Sequence, residues 1–445
     1  MGRKSYSRAL SVWANGQRVG VWTIPTRGDT EFKYDSQWMN SPTGRPLSLS
    51  LPYTGELALK GERVRNYFDN LLPDSQSIRS RIATRFQIGS TDAFDLLQAI
   101  GRDCVGAVQL LGVDDTPTNI ERITATPLTE DEIEQLLVQT TSTGVLAGTD
   151  NPQDLRISLA GAQEKTALLW HQGQWMRPHG STPTTHIFKL PLGLVGHRQA
   201  DFSASAENEW LCMNLLQEFG LPVATTALLR FGKQKVLGVE RFDRQFHPSG
   251  QWIMRLPQED FCQALGLPPH LKYESDGGPG LADLAGVLSG SVQPEQDLAT
   301  LLKAQLLFWM LAAPDGHAKN FSLRVLPQGR YALTPLYDVM SIWPVQGKGA
   351  NQYSRFKTKM AMALVGKGKH YVVNDIQRRH FNATAARYFH RSDAEDLITQ
   401  VLERTPGAID RVAARLPAGF PQAVAQALFT GLRQSAAALQ RMPSF

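Results

Sequence analysis

The chain has 445 residues, too many for one ordinary core at about 150 residues per domain, so two or three units with a cleft between lobes are expected. Hydrophobic residues make up 42% and charged residues 20%, which excludes extensive disorder, and three scattered cysteines (Cys104, Cys212, Cys262) exclude a disulfide framework or a zinc site and fit a reducing cytoplasm. The net charge of +5 favours an acidic or nucleic-acid partner without requiring one, and no apolar run reaches the roughly 20 residues of a membrane helix, so a soluble, cytoplasmic chain with no membrane contact is expected.

In chain order, residues 9–22 read as a hairpin, with Asn15-Gly16 at the centre of the turn. A period-two run at 46–52 gives way to helical patterns at 64–72 and 75–86, and this α+β unit is placed at 1–115. Residues 116–256 form a strand-rich unit. Strand patterns occur at 157–159, 166–170, 174–177 and 185–190, with Gln172-Gly173 as a turn; a helix over 205–218 stops at Gly220 and Pro222, and strands resume at 227–230 and 236–240. From 257 to 445 helices dominate, including 297–312, 393–415 and 421–441. The one exception is a hairpin across 321–336, turning at Pro327-Gln328-Gly329-Arg330. The expected fold is α+β and bilobed, protein-kinase-like, with a strand-rich N-terminal part and a mainly helical C-terminal lobe.

Chemistry concentrates at Pro314-Asp315-Gly316-His317-Ala318-Lys319-Asn320, between an apolar helix and that hairpin. An aspartate separated by four residues from an asparagine is the spacing of a kinase catalytic loop: the carboxylate orients and deprotonates an attacking hydroxyl, and the amide oxygen holds a divalent ion. Tyr337-Asp338 follows the hairpin, where a second carboxylate returns to the same cleft; such hard oxygens suit Mg²⁺. Alone, the loop reads equally well as a turn with an aspartate cap, and its order with Asp338 favours catalysis.

Ser158-Leu159-Ala160-Gly161-Ala162-Gln163-Glu164-Lys165 lies between strands. Its small residues allow close backbone approach to a phosphate, but one glycine where a kinase loop has three makes it as ordinary as a tight turn. Lys189, in an otherwise apolar strand, needs a partner, and Glu207 or Glu209 on the next helix could supply it; an exposed edge lysine is the competing reading. Glu240, Arg241 and Phe242 occupy the place of a lobe connector, whose backbone would meet adenine. His186 and His317 lack ligand-spaced companions, Cys212 and Cys262 read as buried small hydrophobes, and Phe308 and Trp309 read as core.

Four of these segments together, Ser158 to Thr166, Thr185 to Pro191, Val239 to Arg244 and Asp315 to Asn320, resemble the HipA-type serine/threonine kinases, the toxin half of bacterial toxin–antitoxin pairs. Phe68 to Asp74, Ile100 to Asp103, Leu256 to Asp260 and Tyr273 to Gly280 extend the likeness from about residue 8 to about 435. The resemblance implies that Leu159 to Lys165 form the phosphate loop, Lys189 binds phosphate, Glu240 and Phe242 contact adenine, Asp315 is the catalytic base, and Asn320 and Asp338 hold Mg²⁺ beside ATP. His317, Ala318 and Lys319 would border the nucleotide. Ser158 resembles the serine these kinases phosphorylate on themselves, which would expel the loop and silence the enzyme. A helix-turn-helix antitoxin, HipB-like, is the implied partner and carries the kinase to operator DNA; the implied protein substrate is glutamyl-tRNA synthetase. Pro314 departs from the family pattern, which has a small polar residue there. The basic segment 348–391, with Asp375 its one acidic residue, reads equally as a phosphate-backbone contact or a solvated face.

Two rivals remain at this level. A small-molecule kinase of the aminoglycoside-phosphotransferase type would use a similar catalytic loop, and a catalytically silent corepressor would keep the fold and lose the chemistry. The Ser158 loop and the N-terminal unit favour the toxin reading over the first.

Overall fold

Asn15 and Gly16 take φ of 46° and 83°, the left-handed pair of a type I′ turn, and so join strands Arg8–Ala14 and Gln17–Ile24 with Ala14 opposite Gln17. The computed structural model describes residues 7–55, 58–141, 163–196 and 198–444. In it the hairpin is the centre of a five-stranded antiparallel sheet, flanked by Glu31–Tyr34 and Leu59–Lys60 on one side and Gln109–Gly112 on the other. Helices Glu62–Asp69, Gln76–Arg85 and Ala93–Ile100 share its core; Trp22 stacks on Phe68 with ring centres 4.0 Å apart. The alternating run at 46–52 is no strand. Ser48 and Ser50 spend their hydroxyls on the Gln263 carbonyl, at 3.2 and 2.6 Å, and a single bridge, Ser48 to Leu51, is all the ladder there is.

The second sheet has six strands in the order Thr226–Phe231, Gln234–Glu240, His186–Lys189, Lys165–His171, Gln174–Pro178, Ala125–Pro127. Its antiparallel register sets Lys165 directly opposite Lys189. Helix Ser205–Glu218 has the predicted bounds and is buried on nearly every face, as a helix wedged between a sheet and a helical lobe must be. That lobe packs around Pro294–Met310, Glu395–Ala413 and Gln422–Arg441. The predicted hairpin is present as Ser322–Val325 and Tyr331–Leu333, with Gln258–Asp260 added on its free edge. A second hairpin was not expected: Lys359–Val365 and Lys369–Val372 pair where helices alone were read. Six of the seven residues in its first strand are buried, and a continuous apolar run of that length has no period to distinguish strand from helix.

The first sheet is joined to the rest through buried charge. Asp103 accepts from the Thr184 backbone at 3.0 Å, the Thr184 hydroxyl at 2.7 Å, Arg244 at 3.0 Å and Arg255 at 3.2 Å. Asp243 pairs with Arg241 at 2.8 Å and Arg244 at 3.1 Å and accepts from the Gly106 backbone at 2.7 Å. The Asn15 side chain closes the same junction, donating to the Arg255 carbonyl at 2.8 Å and accepting from its N–H at 2.9 Å.

Candidate active site

Helix Pro294–Met310 ends where Ala312 turns left-handed at φ 45° and passes the chain into 314–320. Gly316 sits against the Phe308 ring, 2.6 Å from where a Cβ would stand, so only glycine fits. Pro314 is accommodated because its carbonyl is the part used, accepting from the Ala361 N–H at 2.9 Å. Asn320 Nδ2 donates to the Asp315 carbonyl at 2.7 Å, which leaves the amide oxygen as its other polar atom. The Asp315 carboxylate, 49% exposed, accepts from the Tyr273 hydroxyl and stands 3.8 Å from His317 Nε2. Burial holds the His317 ring below the usual histidine range, against the pull of Asp315, so it is neutral near pH 7; its Nδ1 has no hydrogen-bond partner among the described residues.

The hairpin returns the chain to Tyr337 and Asp338. The Tyr337 hydroxyl donates to the Lys319 carbonyl at 2.9 Å, tying the two loops together. Asp338 has φ 62°, a conformation that costs a residue with a Cβ about 1 kcal/mol or more and concentrates at functional sites. Lys189 Nζ holds it, 2.8 Å from Asp338 Oδ1 and 2.7 Å from Glu209 Oε1. Of the two glutamates expected as partners, then, Glu209 takes Lys189; Glu207 faces Lys235 at 3.2 Å.

Charge follows from this packing. Burial alone would raise the Asp338 carboxyl, but Lys189 and Lys165 overcome it and hold the group well below the carboxylate range, ionised. Burial would lower Lys189, and its two carboxylates more than offset that. Lys165, half-buried and facing Lys189 across the ladder, is pulled down to about 8 by loss of water contact and by the second ammonium. Burial pushes Glu209 up to about 7, with Lys189 opposing.

Asp315, Asn320 and Asp338 line one cleft of about 450 Å³, a size that takes a nucleotide. Gln163, Lys165, Lys189, Glu240, Phe242, His317 and Tyr337 line it too, and the Phe242 and Tyr337 rings are 5.9 Å apart at the connector. Other expected site residues lie differently. Arg241 borders the cleft, but its guanidinium turns into the buried junction toward Asp243, Thr184 and the Cys104 carbonyl. Lys319 borders it with its ammonium turned to Asn70, Asp74 and Asp260. Ala318 is fully buried core, and Glu164 is ion-paired to Arg81 of the first unit. Ser158, Ala160, Gly161 and Ala162 lie outside the described residues. Unforeseen in the cleft wall are Tyr273, Lys272, Asp74 and Asn70. Asn70 and Asp74 flank the apolar Leu71-Leu72-Pro73, but no local pattern links any of the four to a loop so far along the chain.

A strand lysine bridging a helix glutamate and a loop aspartate, across a cleft from a second aspartate, is the construction of protein kinases. That class is consistent with the chain's relatives. The HipA-like C-terminal domain model matches residues 157–409 and the HipA N-terminal domain model matches 10–111. The protein Y4mE of Sinorhizobium fredii is 37% identical over 361 residues, covering 80% of this chain and 81% of that one. The serine/threonine-protein kinase toxin HipA of Shewanella oneidensis is 28% identical, covering 78% and 76%. The solved structure of HipA from Shewanella oneidensis, in complex with HipB and its operator DNA, matches in fold with a TM-score of 0.77 over 97% of both chains at 24% identity. The chain belongs to the HipA family of serine/threonine-protein kinase toxins. Among the described residues no helix is long and apolar enough to cross a membrane.

Proposed function

We propose that this kinase transfers the terminal phosphate of ATP to a serine or threonine of a protein whose modification stops translation, with glutamyl-tRNA synthetase as the candidate. The observation that carries this reading is the convergence of Asp315, Asn320 and Asp338 with the Lys189–Glu209 pair on one cleft. The donors fit the expected ion: Asp338 is an ionised carboxylate and the Asn320 amide has its nitrogen engaged, an oxygen set suited to Mg²⁺. When bound, Mg-ATP supplies the phosphoryl group and the screening of its charge. Asp315, half exposed at the cleft mouth, orients the acceptor hydroxyl and takes its proton. Lys189 and Lys165 meet phosphate oxygens, Lys165 from the end of the proposed phosphate loop, and Glu240 to Phe242 meet the adenine along the connector. The neutral His317 ring offers Nδ1 to the nucleotide.

Ser158, at the start of that loop, is the proposed site of self-phosphorylation, which would set about two negative charges against the triphosphate pocket and switch the enzyme off. A small helix-turn-helix antitoxin is the proposed partner. The Shewanella protein is solved with HipB and operator DNA, and the basic segment 348–391 offers a surface for such contacts. The unit boundaries near 115 and 256 complete the reading. One experiment tests the chemistry. Wild type and Asp315→Gln are incubated with glutamyl-tRNA synthetase and γ-labelled Mg-ATP, and the sites are mapped by mass spectrometry. Wild type should label the synthetase and Ser158, and the variant should be slower by about a thousandfold or more. Equal labelling by both removes Asp315 as the base, and label on the synthetase without any on Ser158 removes the self-inactivation.

A further inference from the structure

The chemistry above uses only the two kinase lobes, yet the first unit forms part of the cleft wall through Asn70 and Asp74. Lys319 sits between two residues of the catalytic loop, His317 and Asn320, and is 6% exposed. An ammonium there would serve phosphates if it faced the cleft. Instead Nζ is 2.6 Å from Asn70 Oδ1, 3.1 Å from Asp260 Oδ2, 3.3 Å from the Asn70 carbonyl and 3.5 Å from Asp74 Oδ1. Its three donors are fully subscribed. Asn70 cannot swing away, because its own Nδ2 donates to the Asn66 and Leu267 carbonyls at 2.8 and 2.9 Å.

Asp74 reaches the base by a second route. Its Oδ2 is 2.8 Å from Lys272 Nζ. The Lys272 carbonyl accepts from the Ala318 N–H at 3.2 Å, and the next residue, Tyr273, gives its hydroxyl to Asp315 and packs its ring perpendicular to His317, with centroids 4.9 Å apart. Both ends of the catalytic loop are thus tethered to one short stretch of the first unit. We propose that Asn70 and Asp74 are positioning residues for the phosphotransfer reaction, fixing Asn320 through Lys319 and Asp315 through Lys272 and Tyr273, so that the first unit is a working part of the catalytic centre. The inference rests on the kinase reading given above. Its physical basis is that a catalytic group displaced by about 1 Å loses up to about a hundredfold in rate while binding is spared.

The test uses the full chain and label transfer from γ-labelled ATP to the proteins of a cell extract. Asp74→Asn keeps the shape and removes the charge; Asn70→Ala removes the closest acceptor of Lys319. Each should lower kcat by about ten- to a hundredfold, with ATP affinity, read by a fluorescent analogue, and melting temperature near wild type. Tyr273→Phe should also lower kcat, and combined with Asp74→Asn should lower it by less than the product of the two losses, because both act through one tether. An active wild type with equally active Asp74→Asn and Asn70→Ala overturns the proposal alone, as does a kcat loss matched by equal losses of ATP affinity and melting temperature, which marks a merely structural contact. If Asp74→Asn fails to fold, Asn70→Ala decides by the same criteria. A wild type that transfers no label overturns the phosphotransfer reading and this one with it.

Discussion

Glu259 shows how far a single side chain can move from its solution behaviour. It is fully buried, accepts from the Leu49 N–H at 2.9 Å through one oxygen, and has no hydrogen-bond partner on the other among the described residues. Burial, with Asp260 adding to it, pushes its carboxyl up to about 8 from the ordinary 4.5. The folded chain therefore holds a proton that the unfolded chain gives up first. This contribution to stability is complete below pH 4.5 and is lost as pH rises toward about 8. Glu259→Gln cannot titrate. Its melting temperature should fall less than that of wild type across this window, by several degrees or more; parallel pH profiles would show that the carboxyl is already ionised. The sequence could not have singled this residue out, since only the environment distinguishes Glu259 from an exposed glutamate. Lys189 was legible for the opposite reason: a lysine among Ile187, Phe188 and Leu190 announces a buried charge in need of a partner. Which of Glu207 and Glu209 answered depended on helix rotation, which two residues of spacing do not fix by themselves.

Among elements, those with strong local rules were read closely. The Asn15-Gly16 turn, helix Ser205–Glu218 and hairpin Ser322–Val325/Tyr331–Leu333 each carry their own turn chemistry, cap or period. The strand Lys359–Val365 does not, because a run buried on both faces loses its alternation. The first hairpin also carries information beyond its own sheet, because Asn15 grips the Arg255 backbone with both its donor and its acceptor. Asn15→Ala loses that grip and the residue type best suited to a left-handed turn. It should cost about 1–3 kcal/mol in denaturant unfolding while leaving the KM for ATP unchanged. A variant as stable as wild type would mean that water replaces the side chain without loss.

The whole molecule depends on contacts that no local pattern encodes. At the buried junction, three arginines (Arg241, Arg244 and Arg255) share Asp103 and Asp243. Asp103→Asn leaves an excess of buried positive charge, and the expected cost is about 3–5 kcal/mol. The first unit should loosen before the lobes do, appearing as an early transition in thermal unfolding and as new protease cuts within 1–115. A single transition at the wild-type temperature would show the network to be dispensable. The cleft and its three acidic and amide groups could be read from order and spacing; the tether from Asn70 and Asp74 could not, because nothing in 68–74 refers to residue 319. That separation has its own consequence. Asn70 and Lys319 are 249 positions apart, so during synthesis the anchor is made long before the loop it steadies. A kinase built this way cannot assemble its catalytic loop on the ribosome until the helical lobe has emerged, and a product cut short between the two would carry the anchor without the loop.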